Sequence, residues 1–176
     1  MTTEQLAGNA SGIARAGEIL RAGGLVAIPT ETVYGLAANA LDSDAVRRIY
    51  VAKGRPADNP LIVHITEIIQ WLPLVESLPE EALRLAEAFW PGPFTVILKK
   101  SGLVPEITSG GLDTVAVRCP SHPMARAVIE AAGVPLAAPS ANLSGRPSPT
   151  SFSDTLSHLD GRVEAVLDGG DCAVGV

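Results

Sequence analysis

Aromatic side chains are scarce in this chain: they make up 4% of its residues, whereas hydrophobic residues of all kinds make up 47%. The hydrophobic fraction is typical of a globular protein, so the core must form mainly from aliphatic side chains. A chain of 176 residues is long enough for one domain with a substantial core. No change in composition marks a linker, and we therefore expect a single domain over residues 1–176.

Cysteine and histidine are also too few and too widely spaced for common structural motifs. Cys119 and Cys172 cannot form a disulfide framework and are expected to be small buried hydrophobic residues. His64, His122 and His158 have no metal-ligand spacing with each other or with the cysteines. We predict no metal ion held by protein ligands.

Long apolar runs and the common nucleotide-binding glycine patterns are absent as well. No uninterrupted apolar run approaches the ~20 residues of a membrane helix. Residues 1–10 lack the basic region and the apolar core of a signal peptide. A cytoplasmic protein without a membrane partner is therefore expected. The glycines form neither the phosphate-loop nor the dinucleotide pattern, so a bound nucleotide would need another kind of site.

The chain does contain apolar runs that alternate with amphipathic stretches. The runs at 25–28, 61–65 and 114–118 predict strands, and Gly54 is expected to end a helix that begins near Asp42. Ser77 and Glu80 have the spacing of a capping box at the start of another helix. The alternation indicates the α/β class. Several connections look too short for crossover helices, so we expect a mixed, strongly twisted sheet.

Basic side chains are concentrated in one short segment of a chain whose net charge is −6. Arg47, Arg48, Lys53 and Arg55 fall within nine residues. A local cationic cluster on an acidic protein favours a specific anion over a general polyanion surface. By spacing alone, a phosphate or carboxylate site and ordinary surface charges near the end of a helix both remain open.

Three short segments resemble the signature of the YrdC/Sua5 family, the threonylcarbamoyl-AMP synthases. They read PTETVYGL at 29–36, KGRP at 53–56 and SAN at 140–142. They occur in the order typical of the family, and the resemblance extends over nearly the whole chain. It implies a YrdC/Sua5-like α/β fold, a twisted open sheet of parallel and antiparallel strands with flanking helices and a large concave cavity.

The resemblance also implies a reaction. Enzymes of this kind form threonylcarbamoyl-AMP and pyrophosphate from L-threonine, bicarbonate and ATP. A partner transferase then moves the threonylcarbamoyl group to adenosine 37 of tRNA, so a weak tRNA contact is also expected. Mg²⁺ is expected to accompany ATP without dedicated protein ligands, because it usually keeps its waters and sits on the phosphates.

The motif match assigns substrate binding to two sets of residues. Lys53 and Arg55 are also expected to be catalytic, because cations stabilise charge on transferring phosphates. Arg118 is expected to bind the threonine carboxylate, although a surface arginine whose stem lies along the sheet remains an alternative. The predicted ATP-binding residues are Lys53, Arg55, Asn59, Thr114, Ser140, Asn142 and Ser148, and the predicted L-threonine-binding residues are Thr32, His64, Arg118 and Ala138.

Two other functions remain open. One is an RNA-binding module of the same fold, which the sequence pI of about 5.0 and the few aromatic residues disfavour. The other is a different carbamoyl-adenylate enzyme, similar to a domain of the hydrogenase-maturation carbamoyltransferases. Those longer proteins carry zinc-finger-like cysteines that this sequence lacks.

The end of the chain predicts a shortened protein. Many family members continue beyond the segment at 168–176 with another strand, which supplies a further threonine contact. Without that strand, a sheet edge would be exposed. We expect such a shortened chain to bind ATP weakly, to have low activity and to associate at high concentration.

Overall fold

The structure, a computed structural model, describes residues 1–175 as one mixed sheet with helices on both sides. The strands are β1 (Glu4–Leu6), β2 (Val26–Ile28), β3 (Gly35–Asn39), β4 (Ile62–His64), β5 (Thr95–Lys99), β6 (Thr114–Arg118), β7 (Leu136–Ala137) and β8 (Ala165–Leu167). The α-helices are α1 (Ala10–Arg21), α2 (Ser43–Lys53), α3 (Glu80–Phe89), α4 (Pro123–Ala132) and α5 (Phe152–Leu159). Two short 3₁₀ turns, Ile68–Gln70 and Leu72–Leu74, lie between β4 and α3.

The sheet combines parallel and antiparallel pairs, as the short connections predict. Its strand order is β1-β8-β2-β3-β7-β4-β6-β5. Strand β8 pairs in parallel with β1 and β2, and β4 pairs in parallel with β6. The pairs β2–β3, β3–β7, β4–β7 and β5–β6 are antiparallel. The turn between β2 and β3 cannot contain a crossover helix, so these two strands must run in opposite directions.

The two faces of the sheet bury separate apolar clusters. Successive residues of a strand point to opposite faces, so Val26 packs in one cluster and its neighbour Ala27 in the other. Helices α1 and α4 supply the cluster on the Val26 face, and α2, α3 and α5 contribute to the cluster on the Ala27 face. Within the described chain, no helix has the length and hydrophobicity needed to span a membrane.

Helices α1 and α4 are in close contact at Gly17. A Cβ atom added at Gly17 would lie 2.8 Å from the carbonyl carbon and oxygen of Ala131. That separation is well inside van der Waals contact, so a side chain here would force the helices apart. The absence of a side chain at Gly17 therefore sets the distance between the two helices on the Val26 face.

Helix α2 begins and ends where its local sequence predicts. The Asp42 carboxylate caps its start by accepting hydrogen bonds from the main-chain N–H groups of Asp44 and Ala45, at 3.0 and 3.2 Å. Gly54 ends it in a left-handed conformation with φ of 62°, which glycine adopts without steric cost. This geometry places Lys53 in the last helical turn.

Some local predictions were wrong or incomplete. The expected capping box at Ser77 is absent: α3 begins after Pro79, and no side chain caps its first turn. The proline holds an extended backbone at this point, so the helix starts too far along for Ser77 to reach it. Strands β1 and β3 were not predicted, because a three-residue edge strand and a strand rich in glycine and alanine give little periodic signal. Cys119 and Cys172 are buried free thiols, as predicted.

Candidate active site

Half of one sheet face is left open, and several predicted site residues lie on it. In the register of β4 and β6, His64 is opposite Arg118 and both side chains share a face. Thr114 lies on the same face of β6, and β5 continues the face with Ile97, which is 63% exposed. Helices α1 and α4 cover this face at β8, β2, β3 and β7 but leave it open towards β5. The strand order therefore creates a surface where a ligand can reach buried polar groups.

Arg118 forms a buried ion pair with Glu31. Its Nη2 donates a hydrogen bond to Glu31 Oε1, and both side chains are almost entirely buried. The other oxygen, Oε2, accepts hydrogen bonds of 3.3 Å from the main-chain N–H groups of Ser121 and His122. Burial by itself would raise the pKa of Glu31, but main-chain hydrogen bonds and Arg118 together hold that pKa below its ordinary value. The carboxyl group of Glu31 is therefore ionised at neutral pH.

His64 is a buried, neutral histidine beside this pair. Burial, and then the positive charge of Arg118, lower its pKa to about 4. Its Nδ1 lies 3.1 Å from the carbonyl oxygen of Ile62. A carbonyl oxygen only accepts, so Nδ1 carries the proton and Nε2 keeps a lone pair. His64 can thus accept a hydrogen bond from a ligand at neutral pH.

Thr32 and Ala138 lie next to the same group of residues. Thr32 is half-buried in the turn that carries Glu31, and its Oγ1 lies 3.1 Å from Thr30 Oγ1. Ala138 follows β7, where its N–H donates a 3.1 Å hydrogen bond to the Ile62 carbonyl. The structure therefore brings the four predicted threonine-binding positions to one region, through the β4–β6 register and the contact with Glu31.

Lys53 joins the end of α2 to the loop that follows β7. Its side chain is buried, and its Nζ donates a 2.7 Å hydrogen bond to the carbonyl oxygen of Asn142 and another hydrogen bond to that of Ser140. In the reverse direction, the N–H of Ser144 donates to the Lys53 carbonyl at 2.8 Å. Burial, and then the nearby charge of Arg55, lower the pKa of Lys53 to about 8. The two signature segments are thus in direct contact.

The loop after β7 is held by its own polar side chains. Ser140 Oγ donates a 2.6 Å hydrogen bond to Asn142 Oδ1, and Asn142 Nδ2 donates to the carbonyl of Arg146 at 2.8 Å. Further along, the carbonyl of Pro149 accepts a 2.9 Å hydrogen bond from the N–H of Tyr34. Ser148 precedes Pro149, so this contact brings it next to the turn between β2 and β3.

The remaining predicted ATP-binding residues are more exposed. Arg55 is half-buried, and its Nη2 donates a 3.1 Å hydrogen bond to the carbonyl of Pro60. Asn59 and Ser148 are exposed, and Thr114 is half-buried. Within residues 1–175, no hydrogen bond involves the side chains of Asn59, Thr114 or Ser148. Their polar groups are therefore available to a ligand, but the protein by itself does not orient them.

No metal centre is formed by the described residues. They contain no group of three or more histidine, cysteine, aspartate or glutamate side chains that could hold an ion. The buried carboxylate in this region, Glu31, uses both oxygens for Arg118 and main-chain N–H groups. Its charge is therefore balanced by Arg118 and these N–H groups.

Comparison with known proteins assigns the family. A family model described as "Telomere recombination" (Sua5_yciO_yrdC) matches residues 18–176. The chain belongs to this family. Its mixed sheet and open face are thus a Sua5/YrdC-type fold, as the three signature segments predict.

Two similar curated relatives carry the name of the same enzyme. A threonylcarbamoyl-AMP synthase of Pyrococcus abyssi is 57% identical over 157 residues, which cover 89% of this chain and 46% of the relative. A threonylcarbamoyl-AMP synthase of Bacillus subtilis is 53% identical over 176 residues, 99% of this chain and 51% of the relative. The structure of P. abyssi Sua5 complexed with L-threonine matches with a TM-score of 0.95 and 51% identity, over 100% of this chain and 52% of that one. The chain spans about half the length of the curated relatives that it matches.

Glu31 is the residue of this site that was not predicted from the sequence. It lies between Thr30 and Thr32 in the PTETVYGL segment, where only Thr32 was assigned a role. One signal was present in the sequence: an acidic residue close to a buried strand needs a partner, since an unpaired buried charge is costly. The sequence did not indicate which cation supplies that partner.

Proposed function

We propose that this chain is the catalytic domain of a threonylcarbamoyl-AMP synthase, which forms threonylcarbamoyl-AMP and pyrophosphate from L-threonine, bicarbonate and ATP. The observation that carries the proposal is the Arg118–His64 pair on the open sheet face. The contact between Lys53 and Asn142 adds to it, because it joins two segments predicted to bind the nucleotide. The names of the two relatives and the L-threonine complex of P. abyssi Sua5 support it.

The threonine-binding half of the proposal rests on charge and hydrogen-bond type. The guanidinium of Arg118 matches a carboxylate, which it can bind through two N–H groups. The lone pair on His64 Nε2 can accept a hydrogen bond from the amine or the hydroxyl group of the substrate. A contact to the hydroxyl is needed for selectivity, because recognition of the methyl group alone gives about 1–3 kcal/mol.

The ATP-binding half rests on the cations at the end of α2. Lys53 and Arg55 lie close enough for Arg55 to lower the pKa of Lys53, so both charges act on the same region. We assign the triphosphate to this region. Ser140, Asn142 and Ser148, on the loop that Lys53 contacts, would bind the rest of the nucleotide together with Asn59 and Thr114.

The chemistry requires positioning more than covalent catalysis. The threonine amine attacks the carbon of bicarbonate or CO₂ and yields a carbamate, with loss of water when bicarbonate reacts. A carbamate oxygen then attacks the α-phosphorus of ATP, and pyrophosphate leaves. Cations stabilise the charge on the phosphates, and alignment of the reactants supplies much of the remaining rate enhancement.

We propose that Mg²⁺ binds to the chain together with ATP. A magnesium ion usually keeps several waters and binds substrate phosphates together with one or two carboxylates at most. Glu31 already bonds to Arg118 and to main-chain N–H groups, so we assign the ion to the nucleotide phosphates and water. Lys53 and Arg55 would share the neutralisation of the phosphates with it.

Transfer to tRNA is proposed as the task of a partner transferase, in the cytoplasm. Several arginines of this chain already have acidic partners in the same chain, such as Arg48 with Glu164 and Arg47 with Asp44. That pairing, together with the net charge of −6, supports a small anionic ligand over a long polyanion.

Incubation of the chain with ATP, L-threonine and labelled bicarbonate tests the proposal. We expect a labelled adenylate on chromatography and an equal amount of pyrophosphate, both dependent on L-threonine. The matched controls omit threonine or replace it with L-valine, which lacks the hydroxyl group. Absence of the labelled adenylate, combined with tight and steeply salt-dependent RNA binding, would reject the enzyme in favour of the RNA-binding module.

A further inference from the structure

The carboxylate of Glu31 is held in place from three directions. Oε1 accepts from Arg118, while Oε2 accepts from the main-chain N–H groups of Ser121 and His122 just before α4. Its main chain is held as well, because the Glu31 carbonyl accepts a 2.9 Å hydrogen bond from the N–H of Val174. Glu31 is therefore a fixed partner for a cation.

The guanidinium of Arg118 is only partly satisfied by this partner. Nη2 is bonded to Glu31, while Nε is buried and has no hydrogen-bond partner among residues 1–175. Nη1 likewise donates to no atom of the described chain. A buried donor without a partner is unfavourable, because it has lost its hydrogen bonds to water. The arginine thus keeps donors that no atom of residues 1–175 satisfies, and we expect a bound ligand to supply the missing acceptor.

From this arrangement we infer that Glu31 is a positioning residue that orients Arg118 to bind the carboxylate of L-threonine. The inference rests on the proposed function for the identity of the substrate. A free arginine side chain has many rotamers, and fixing them in advance reduces the entropy lost on binding. Glu31 fixes the guanidinium through Nη2 and leaves the remaining donors for the substrate.

Electrostatic repulsion opposes the orienting effect of Glu31, so the direction of the change in threonine affinity is the decisive result. The negative charge of Glu31 also repels the threonine carboxylate and partly neutralises Arg118. If repulsion or competition dominated, removal of the Glu31 charge would strengthen threonine binding. Glu31 is anchored by two main-chain N–H groups that do not depend on Arg118, so it has no need to leave when substrate arrives. We expect orientation to outweigh repulsion, and the direction of the change in threonine affinity tests this.

The test is a double-mutant cycle with Glu31→Gln and Arg118→Ala, read by calorimetric titration of L-threonine and of ATP. We expect Glu31→Gln to weaken threonine binding about tenfold, within the range of coupling between contacting residues. ATP binding should stay unchanged. In the Arg118→Ala background, Glu31→Gln should have no further effect on threonine, because its action passes through the arginine.

The matched control is Glu106→Gln, which removes the carboxylate partner of Lys100, another mostly buried cation. That variant should leave threonine binding unchanged. If Glu31→Gln does not fold, Glu31→Asp keeps the charge but is one methylene shorter, and we expect a smaller loss of threonine affinity. Unchanged or tighter threonine binding in a folded Glu31 variant would overturn the inference, as would equal effects with and without Arg118.

A second readout does not depend on the substrate. The Nε–H resonance of Arg118, followed by NMR in the ligand-free protein, should be sharp in the native chain and broadened or lost in Glu31→Gln. Equal sharpness in both proteins would contradict positioning by Glu31. Failure of the native chain to bind threonine would instead reject the proposed function, and the resonance would then still decide whether Glu31 orients Arg118.

Discussion

The ammonium group of Lys53 donates a 2.7 Å hydrogen bond to the main-chain carbonyl of Asn142, 89 residues further along the chain. Lys53 belongs to the KGRP segment and Asn142 to the SAN segment, so this contact joins two of the three signature segments. A cation proposed to bind phosphate therefore also fixes the loop proposed to bind the nucleotide. Substitution of Lys53 should therefore remove a positive charge from the proposed phosphate site and also loosen the loop that contains Asn142.

Alanine substitutions at Lys53 and Arg55 should separate these two effects. Each should reduce adenylate formation, because loss of one charged transition-state contact costs on the order of 2–4 kcal/mol. Only Lys53→Ala should also lower the free energy of unfolding, by about 1.5–3 kcal/mol for lost hydrogen bonds to a charged group. Radiochemical assay and denaturant unfolding measure the two quantities. Arg47→Ala is the control, and near-native turnover in both test variants would refute the site assignment.

The pH dependence of the reaction should report the titration of Lys53. Since its pKa is lowered to about 8, the side chain loses its charge above that pH, and adenylate formation should decline there. Lys53→Arg keeps its charge and should shift or remove the decline if the variant retains activity. The free energy of unfolding should instead rise with pH over part of this range. Between about pH 8 and 10.5, Lys53 binds more protons in the unfolded chain than in the folded chain, so raising the pH favours the folded state. A pH–rate profile identical in both proteins would exclude this role.

Acid should destabilise the protein through His64. Its pKa is lowered from 6.5 to about 4 in the folded chain. Between these values the unfolded chain binds more protons, so the free energy of unfolding should fall as the pH drops, by roughly 3 kcal/mol in total. Urea unfolding at several pH values measures this slope. His64→Gln should flatten it, and equal slopes in the two proteins would contradict the prediction.

Arg118→Ala should weaken threonine binding and leave ATP binding largely unchanged. The variant removes the proposed carboxylate ligand and also leaves Glu31 buried without its cation, which costs about 3–5 kcal/mol of stability. Circular dichroism must therefore establish folding before titration. Arg118→Lys keeps the charge but lacks the planar fork, so an intermediate affinity is expected. Loss of ATP binding with threonine binding preserved would show that the two roles are misassigned.

Gly17→Ala should destabilise the fold although alanine is the better helix former. Propensity alone would favour alanine by about 1 kcal/mol. The new methyl group would lie 2.8 Å from the Ala131 carbonyl, and overpacking of this kind costs about 1–3 kcal/mol. Gly102→Ala is the control, because a Cβ there meets no atom within 4 Å. Increased thermal stability of Gly17→Ala would show that α1 and α4 can separate without cost.

Local features of the fold follow from the sequence by itself. The ends of α2 depend on Asp42 and Gly54. Capping by aspartate and the left-handed conformation of glycine are local preferences that need no contact with the rest of the fold. The strand that ends at Arg118 is likewise an apolar run with its own signal. The signature segments also point to the family without knowledge of the sheet.

Only the tertiary structure determines which residues that are distant in sequence come into contact. Glu31 and Arg118 are 87 residues apart, and three strands separate β2 from β6 in the sheet. Their contact therefore depends on the turn after β2, which brings Glu31 to the end of β6. Strands β1 and β3 show the same dependence, because backbone pairing with neighbouring strands holds residues with little strand signal of their own. The sequence by itself thus determined which residues could act, through short-range preferences and motifs. Which of them act together was decided by the sheet, since a buried charge takes the partner that the chain topology brings within reach.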